Sequence, residues 1–293
     1  MEKKKYYEIM KRQILERIFD KVDTIPTFPK VAFYALELLK KDEVDFKELE
    51  RVIKSDPGIT ANFLRIVNSP AFGLPQKIDS LFKAFMFLGL NQIKFIIIAS
   101  VAKNYFNKDL IGYGISVEDI WLHSLTCGII AEEIAFDIGF SPAKIETVYI
   151  ASILHDIGKI VLDLYTKLEI KEFQKIARER PNWDFLQVEW LVLGVDHGLV
   201  GAHLLERWEF PKYISFAIRA HHDSDLMLQS DIASIVALAN ILTNMLGIGG
   251  GVDVFNYKIP KNLLKELGIK PERIYKYLKI GLHKSLLIQR EFV

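Results

Sequence analysis

Apolar residues recur three and four positions apart through almost every segment of the chain, and the punctuation falls where helices would start and stop. An all-α fold is the simplest expectation. After a charged N-terminal helix, Ile25-Pro26-Thr27-Phe28-Pro29 forces an extended turn, because each proline fixes its own φ and drives its predecessor out of the helical region. Helices are predicted over 30–40 and 46–54, and Ser55-Asp56-Pro57 starts another over 59–67 that Asn68-Ser69-Pro70 ends. Asp79-Ser80 opens an apolar pair of helices reaching Phe106, with the break at Gly89. Ser116 caps the next helix, Glu118 and Asp119 complement the positive end of its dipole, and it ends near Gly139. Ser141-Pro142 begins a helix running to His155. More are predicted over 167–180, 183–193, 197–208, 211–221 and 231–246, then a loop over 247–251 and one or two helices over 260–293.

Composition narrows the class. Lys and Arg number 38 against 37 Asp and Glu, with 50% hydrophobic and 26% charged residues, so the chain reads as a soluble globular protein. A net charge of +1 gives no general electrostatic reason to bind nucleic acid or an anionic bilayer. The N-terminal cluster Lys3, Lys4, Lys5, Lys11 and Arg12 is partly balanced by Glu2 and Glu8, as on a solvated helix face. The most apolar stretch, 81–102, is interrupted by Lys83, Asn91, Gln92 and Lys94, which excludes a membrane span. No apolar run follows the basic start, so no signal peptide is expected and the cytoplasm is the expected location. The single cysteine, Cys127, sits in an apolar periodic stretch and reads as a buried small hydrophobe rather than a nucleophile.

All seven histidines lie at or beyond position 123. A boundary near Gly112-Tyr113-Gly114 therefore divides a packing lobe, 21–110, from a histidine-bearing lobe, 111–250; residues 1–20 form a leading helix and 251–293 a C-terminal helical extension. In the second lobe, His123, His155-Asp156, His197, His221-His222 and Asn240 come from successive helices or helix ends, which is how a helical bundle assembles a metal site. Imidazole plus carboxylate suits Fe, Mn, Zn or Ni, one or two ions. Asp119, four residues before His123, is either a ligand, a group orienting one, or a dipole-complementing acid. Gly158 breaks the helix and lets Lys159 turn back toward the site, where a cation suits a phosphorylated ligand; an ordinary solvated lysine is the other reading. Asp196 either orients the His197 ring or caps a helix. His203 and His283 do not fit the set and read as structural. The glycine-rich 247–251 stretch has no strand before it and no Gly-Lys-Ser/Thr after it, so it is a flexible connection and not a phosphate loop.

These segments together resemble a known family. His155-Asp156-Ile157-Gly158-Lys159, preceded by His123 within Trp121-Leu122-His123-Ser124-Leu125, resembles the HD superfamily of metal-dependent phosphohydrolases. The chain is more specifically similar to HDOD domains, output domains of bacterial signalling. The further carriers are the Ile25–Pro29 turn, Asp56-Pro57-Gly58-Ile59-Thr60 leading to Asn68-Ser69, Leu88-Gly89-Leu90, Asp196-His197 with Gly201, Trp208 with Pro211, and Ala220-His221-His222. The resemblance implies a two-lobed helical domain with an HD-like bundle in the C-terminal lobe. It also implies a signalling or regulatory role, since HDOD domains frequently lack part of the HD ligand set.

Carried over by position from the related HD-GYP phosphodiesterases, His123, His155, Asp156, His197, His221 and His222 match the metal ligands. The closing aspartate of that pattern falls at Asn240, and no Gly-Tyr-Pro follows His222. An amide brings an oxygen but no charge, so it weakens the site or removes one of two ions. The leading expectation is a bacterial regulatory protein with an HD-type metal site, acting through a signalling protein or small nucleotide-like ligand in trans. The alternative is an active metal-dependent phosphohydrolase in which Asp156 positions the metal and Lys159 stabilises phosphate charge.

Overall fold

The computed structural model describes residues 15–292 except 21, 23–24, 26–27, 40, 42, 69–75, 106–108, 167–174, 177–178, 181–182, 184 and 250–257. The chain is 72% helical, and the described residues hold no strand or sheet, which bears out the all-α expectation. The first 14 residues, Pro26-Thr27, Ser69-Pro70, most of the helix expected over 167–180, and Gly250-Gly251 lie outside the described residues. No single helix among the described residues is long and apolar enough to cross a membrane.

Short polar side chains set the helix starts. Asp45 accepts from the Lys47 and Glu48 amides ahead of the helix that starts at Phe46, and Asp56 accepts from Ile59 N with Pro57 in the first turn of the next. The N-terminal helices are α1 (Lys30–Leu38), α2 (Phe46–Lys54), α3 (Pro57–Val67), α4 (Leu81–Phe87) and α5 (Leu90–Tyr105), with the expected interruption at Gly89. A turn closed by the Leu110–Ile115 bridge leads to Ser116, whose Oγ accepts from Asp119 N and starts α6 (Val117–Asp137). Ser141 in turn caps α7 (Pro142–Leu154).

Here the structure departs from the sequence pattern. The chain does not break at Gly158 but at His155 and Asp156, and a helix not anticipated, α8 (Ile157–Thr166), follows at once. The apolar pattern runs on through Ile160, Val161 and Leu162 with no polar stop, because the two polar residues at the break face inward and are buried. Gly158 has a different purpose. A Cβ there would overlap the His197 carbonyl and lie 2.7 Å from Gly201 N, so the glycine lets α8 lie directly on the next helix but one.

The remaining helices are α9 (Phe185–Val192), α10 (His197–Arg207), α11 (Lys212–Ala220), α12 (Asp231–Met245), α13 (Leu263–Glu266) and α14 (Arg273–Phe292). The central element is α6, which packs on α7, α12 and α14 and buries Ile120, Trp121, Cys127, Ile130, Ala131 and Ile134. Polar side chains on so enclosed a helix need internal partners. The α7–α8 junction, the N-terminus of α10 and the C-terminus of α11 all deliver such partners beside α6 and α12.

Two outcomes follow from this packing. Gly158→Ala is expected to cost about 3 kcal/mol, because the obstructing atoms are backbone and cannot rotate away; thermal unfolding measures it. Glu132, on α6, is pushed from its ordinary 4.5 up to about 7 by burial and by Glu133, against the pull of Lys284. Its acid form is therefore preferred in the fold, and stability falls as pH rises from about 4.5 through 7. Glu132→Gln is expected to be near neutral at pH 4.5 and stabilising by about 1–2 kcal/mol at pH 8, read from denaturant midpoints at both values.

Candidate metal centre

Three helix termini converge on two buried helices. His123 projects from α6; His155 caps the C-terminus of α7 and Asp156 follows it; His197 opens α10; His221 caps the C-terminus of α11 with His222 next; Asn240 lies on α12. His123, His155, Asp156, His197 and His221 are all at most 1% exposed, whereas His222 is partly exposed. The imidazoles sit ring to ring: His123–His155 centroids are 5.2 Å apart, His155–His221 5.1 Å, His197–His222 5.0 Å and His221–His222 4.0 Å.

The rings are aimed by their far nitrogens. His155 Nδ1 lies 2.6 Å from Ser152 O, and His221 Nδ1 lies 2.6 Å from Ile218 O. Each uses a carbonyl three residues back in its own helix, one of the last-turn carbonyls that intrahelical bonding leaves over. His123 Nδ1 lies 2.8 Å from Ile248 O. His197 Nδ1 lies 2.9 and 3.0 Å from the two oxygens of Glu189, which also accepts from His197 N at 2.8 Å and from Tyr113 Oη at 2.8 Å. With these Nδ1 atoms committed, each of the four rings turns Nε2 toward the centre.

Two ligand groups result, and Asp156 belongs to both. Asp156, His197, His221 and His222 each offer an atom within 4.8 Å of the others, and so do His123, His155 and Asp156. Asp156 Oδ1 lies 3.3 Å from His197 Nε2; Oδ2 lies 3.4 Å from His155 Nε2, 3.6 Å from His123 Nε2, and accepts from Lys159 Nζ at 2.9 Å. Asp156 Oδ1, His197 Nε2 and His221 Nε2 are buried with no hydrogen-bond partner. Bare, convergent nitrogen and oxygen donors in a sealed space are a poor arrangement for an empty core and a fitting one for a divalent cation.

The electrostatics follow from this crowding. Burial raises the cost of charging Asp156, but His155 and Lys159 outweigh it and hold the carboxyl well below its usual range. Burial likewise opposes charge on His155, yet Asp156 prevails and lifts it to about 10. His123 is lowered to about 4, and His221 and His222 well below 6.5, by burial and then neighbouring positive rings, with Asp156 pulling the other way.

Every one of the six residues expected as ligands is therefore in the cluster, and Lys159 turns back onto Asp156 and is buried. Asp196 caps α10 by accepting from Leu199 N at 2.7 Å, and does not orient His197. Asp119 binds Ser116 and stays outside. His203 meets Phe19 edge-on, away from the cluster, and His283 is exposed. Cys127 is buried.

Two groups escaped the sequence reading. Glu189 is the acid that orients His197; its signal was a lone carboxylate inside the apolar run Phe185-Leu186-Gln187-Val188-Glu189-Trp190. The glycine-rich loop is the other. It is no slack connection at its start: Ile248 O holds His123, and a Cβ on Gly249 (φ +62°) would overlap Asp119 O and lie 2.7 Å from His123 Cβ.

Comparison with known proteins matches the sequence profile of the HDOD domain to residues 25–224. The chain belongs to the HDOD family. The matched stretch holds all six residues expected as ligands and stops before Asn240. Among curated proteins it is similar to an uncharacterized protein of Treponema pallidum (strain Nichols), 25% identical over 87% of this chain; the chain spans about half, 48%, of that relative. Among crystal structures it is similar to an HDOD domain protein of unknown function from Geobacter sulfurreducens, 24% identical over 95% of this chain and 92% of that one, TM-score 0.71. A Shewanella amazonensis SB2B protein provisionally described as a phosphohydrolase is 20% identical over 94% and 98%, TM-score 0.72. A Marinobacter aquaeolei VT8 protein provisionally described as a signal transduction protein is 18% identical over 96% and 64%, TM-score 0.72. These establish the helical HDOD fold.

Glu189→Gln keeps the shape but loses the charge that holds His197 Nδ1–H. Metal affinity is expected to fall about 10- to 100-fold with unchanged helix content, measured by chelator competition and circular dichroism.

Proposed function

We propose that this chain is a bacterial cytoplasmic signalling protein whose HD-type centre holds a divalent ion, Fe, Mn, Zn or Ni, and that it works mainly by binding a partner protein or small nucleotide-like ligand. The observation that supports it is enclosure: of the six ligands only His222 reaches the surface, so the centre offers a ligand an edge rather than an open bed. His123, His155, Asp156, His197, His221 and His222 are the residues that would hold metal. The helices of residues 21–110 serve in this reading as a packing lobe against the histidine-bearing one.

A second reading, a metal-dependent phosphohydrolase, is favoured by the shared Asp156 carboxylate and the buried Lys159 ammonium beside it. A divalent ion held there would lower the pKa of water and neutralise phosphate charge. Lys159 would swing from Asp156 to a phosphate oxygen, and His222, at the edge of the cluster, would be the first ligand a phosphoester meets.

Elemental analysis of protein purified without chelator, paired with turnover of bis(4-nitrophenyl) phosphate in excess Mn²⁺, tests both. Close to stoichiometric metal with background hydrolysis is expected. Metal with turnover that disappears in His155→Ala would establish the hydrolase instead, and protein lacking stoichiometric metal after reconstitution would sink both readings.

A further inference from the structure

The two halves of the cluster are not equivalent. In the half made by Asp156, His197, His221 and His222, the donor atoms Asp156 Oδ1, His197 Nε2 and His221 Nε2 have no hydrogen-bond partner, although Asp156, His197 and His221 are buried. The Nδ1 atoms of His197 and His221 are tied to Glu189 and Ile218 O, so the rings are already turned for a cation. Nothing has to move first.

The half made by His123 and His155 is arranged differently. His123 Nε2 is 3.0 Å from Asn240 Oδ1 and 3.2 Å from His155 Nε2. Asn240 Oδ1 also accepts from Asn244 Nδ2 at 2.8 Å, so an amide ladder on α12 anchors it. The carboxylate oxygen on this side, Asp156 Oδ2, is occupied by Lys159 Nζ at 2.9 Å. A cation entering here has to expel an ammonium, break the His123–Asn240 contact, and accept a ligand set whose one negative charge is shared with the other half. Lys159 already supplies a positive charge to that oxygen.

We propose that the centre takes one ion tightly, in the Asp156–His197–His221–His222 half, and that Asn240 and Lys159 keep the His123–His155 half from taking a second with comparable affinity. This rests on the metal-holding reading above and specifies its stoichiometry. Position 240 is then the residue that decides between one ion and two. An aspartate there adds a full negative charge against His123, with the same shape and the same bond from Asn244.

Mn²⁺ titration of the metal-free 293-residue protein, followed by electron paramagnetic resonance and elemental analysis, separates the outcomes. The wild type is expected to bind one Mn²⁺ with an isolated-ion spectrum, and a second at least about 100-fold more weakly. Asn240→Asp is expected to tighten the second site about 10-fold or more and to give the exchange-coupled spectrum of two ions sharing a carboxylate. His221→Ala is expected to lose the tight ion, whereas His123→Ala keeps it; this pair decides the matter even where Asn240→Asp fails to fold. Two ions of equal affinity in the wild type, or a tight ion lost in His123→Ala and kept in His221→Ala, would overturn the assignment of halves while leaving a metal protein. No Mn²⁺ bound at all would remove the metal-holding reading itself, and this inference with it.

Discussion

A carboxylate withdrawn from water must be met by cations or donors, and the Asp156 carboxylate is the constraint around which the C-terminal helices are arranged. Its two oxygens face different neighbours: His197 on one side; His155, His123 and the Lys159 ammonium on the other. At a turn between helices such a group can face several elements at once, here side chains from α6, α7, α8 and α10. The junction between α7 and α8 supplies the turn, and the close approach of α8 to α10 at Gly158 brings His197 within reach of it. Packing and electrostatics thus share one cause. The glycine that permits the helix contact also sets the distance between the acid and the imidazole.

The helices themselves do much of the aiming. His155 and His221 both occupy C-cap positions, where carbonyls of the last turn lack intrahelical donors, and each ring turns back to one of them. A histidine at such a position is oriented without any distant partner. His123 and His197 are not at C-caps and each needs a partner outside its own helix: Ile248, far along the chain, for His123, and Glu189, on the preceding helix, for His197.

That difference explains how much was legible in the sequence. Helix starts were readable because Asp45, Asp56, Ser80, Ser116 and Ser141 act on amides two or three residues away. The clustered histidines were readable because all but His123 fall at helix ends, and the HDOD resemblance gathered them into one site. What was hidden is whatever depends on tertiary approach. Asp196, adjacent to His197, is by sequence either an orienting acid or a helix cap; it turns to its own helix's amides as a cap, and Glu189 from the preceding helix reaches the ring. Gly158 looked like a helix breaker because its real neighbour, the backbone at His197, is nearly forty residues away in the sequence. The helix α8 was obscured for the same reason: its polar start faces a buried cluster that local pattern does not reveal.

The Leu110–Ile115 turn has a reach beyond its size. Gly112 N donates to the buried Asp163 on α8, and Tyr113 Oη donates to Glu189, which grips the ring and the amide of His197. One short connection therefore holds, through two carboxylates, α8, α9 and an imidazole of the cluster. Its phenol is a mechanical tether: displacing the turn that joins the earlier helices to the later ones displaces Glu189 and, after only two hydrogen bonds, the His197 ring.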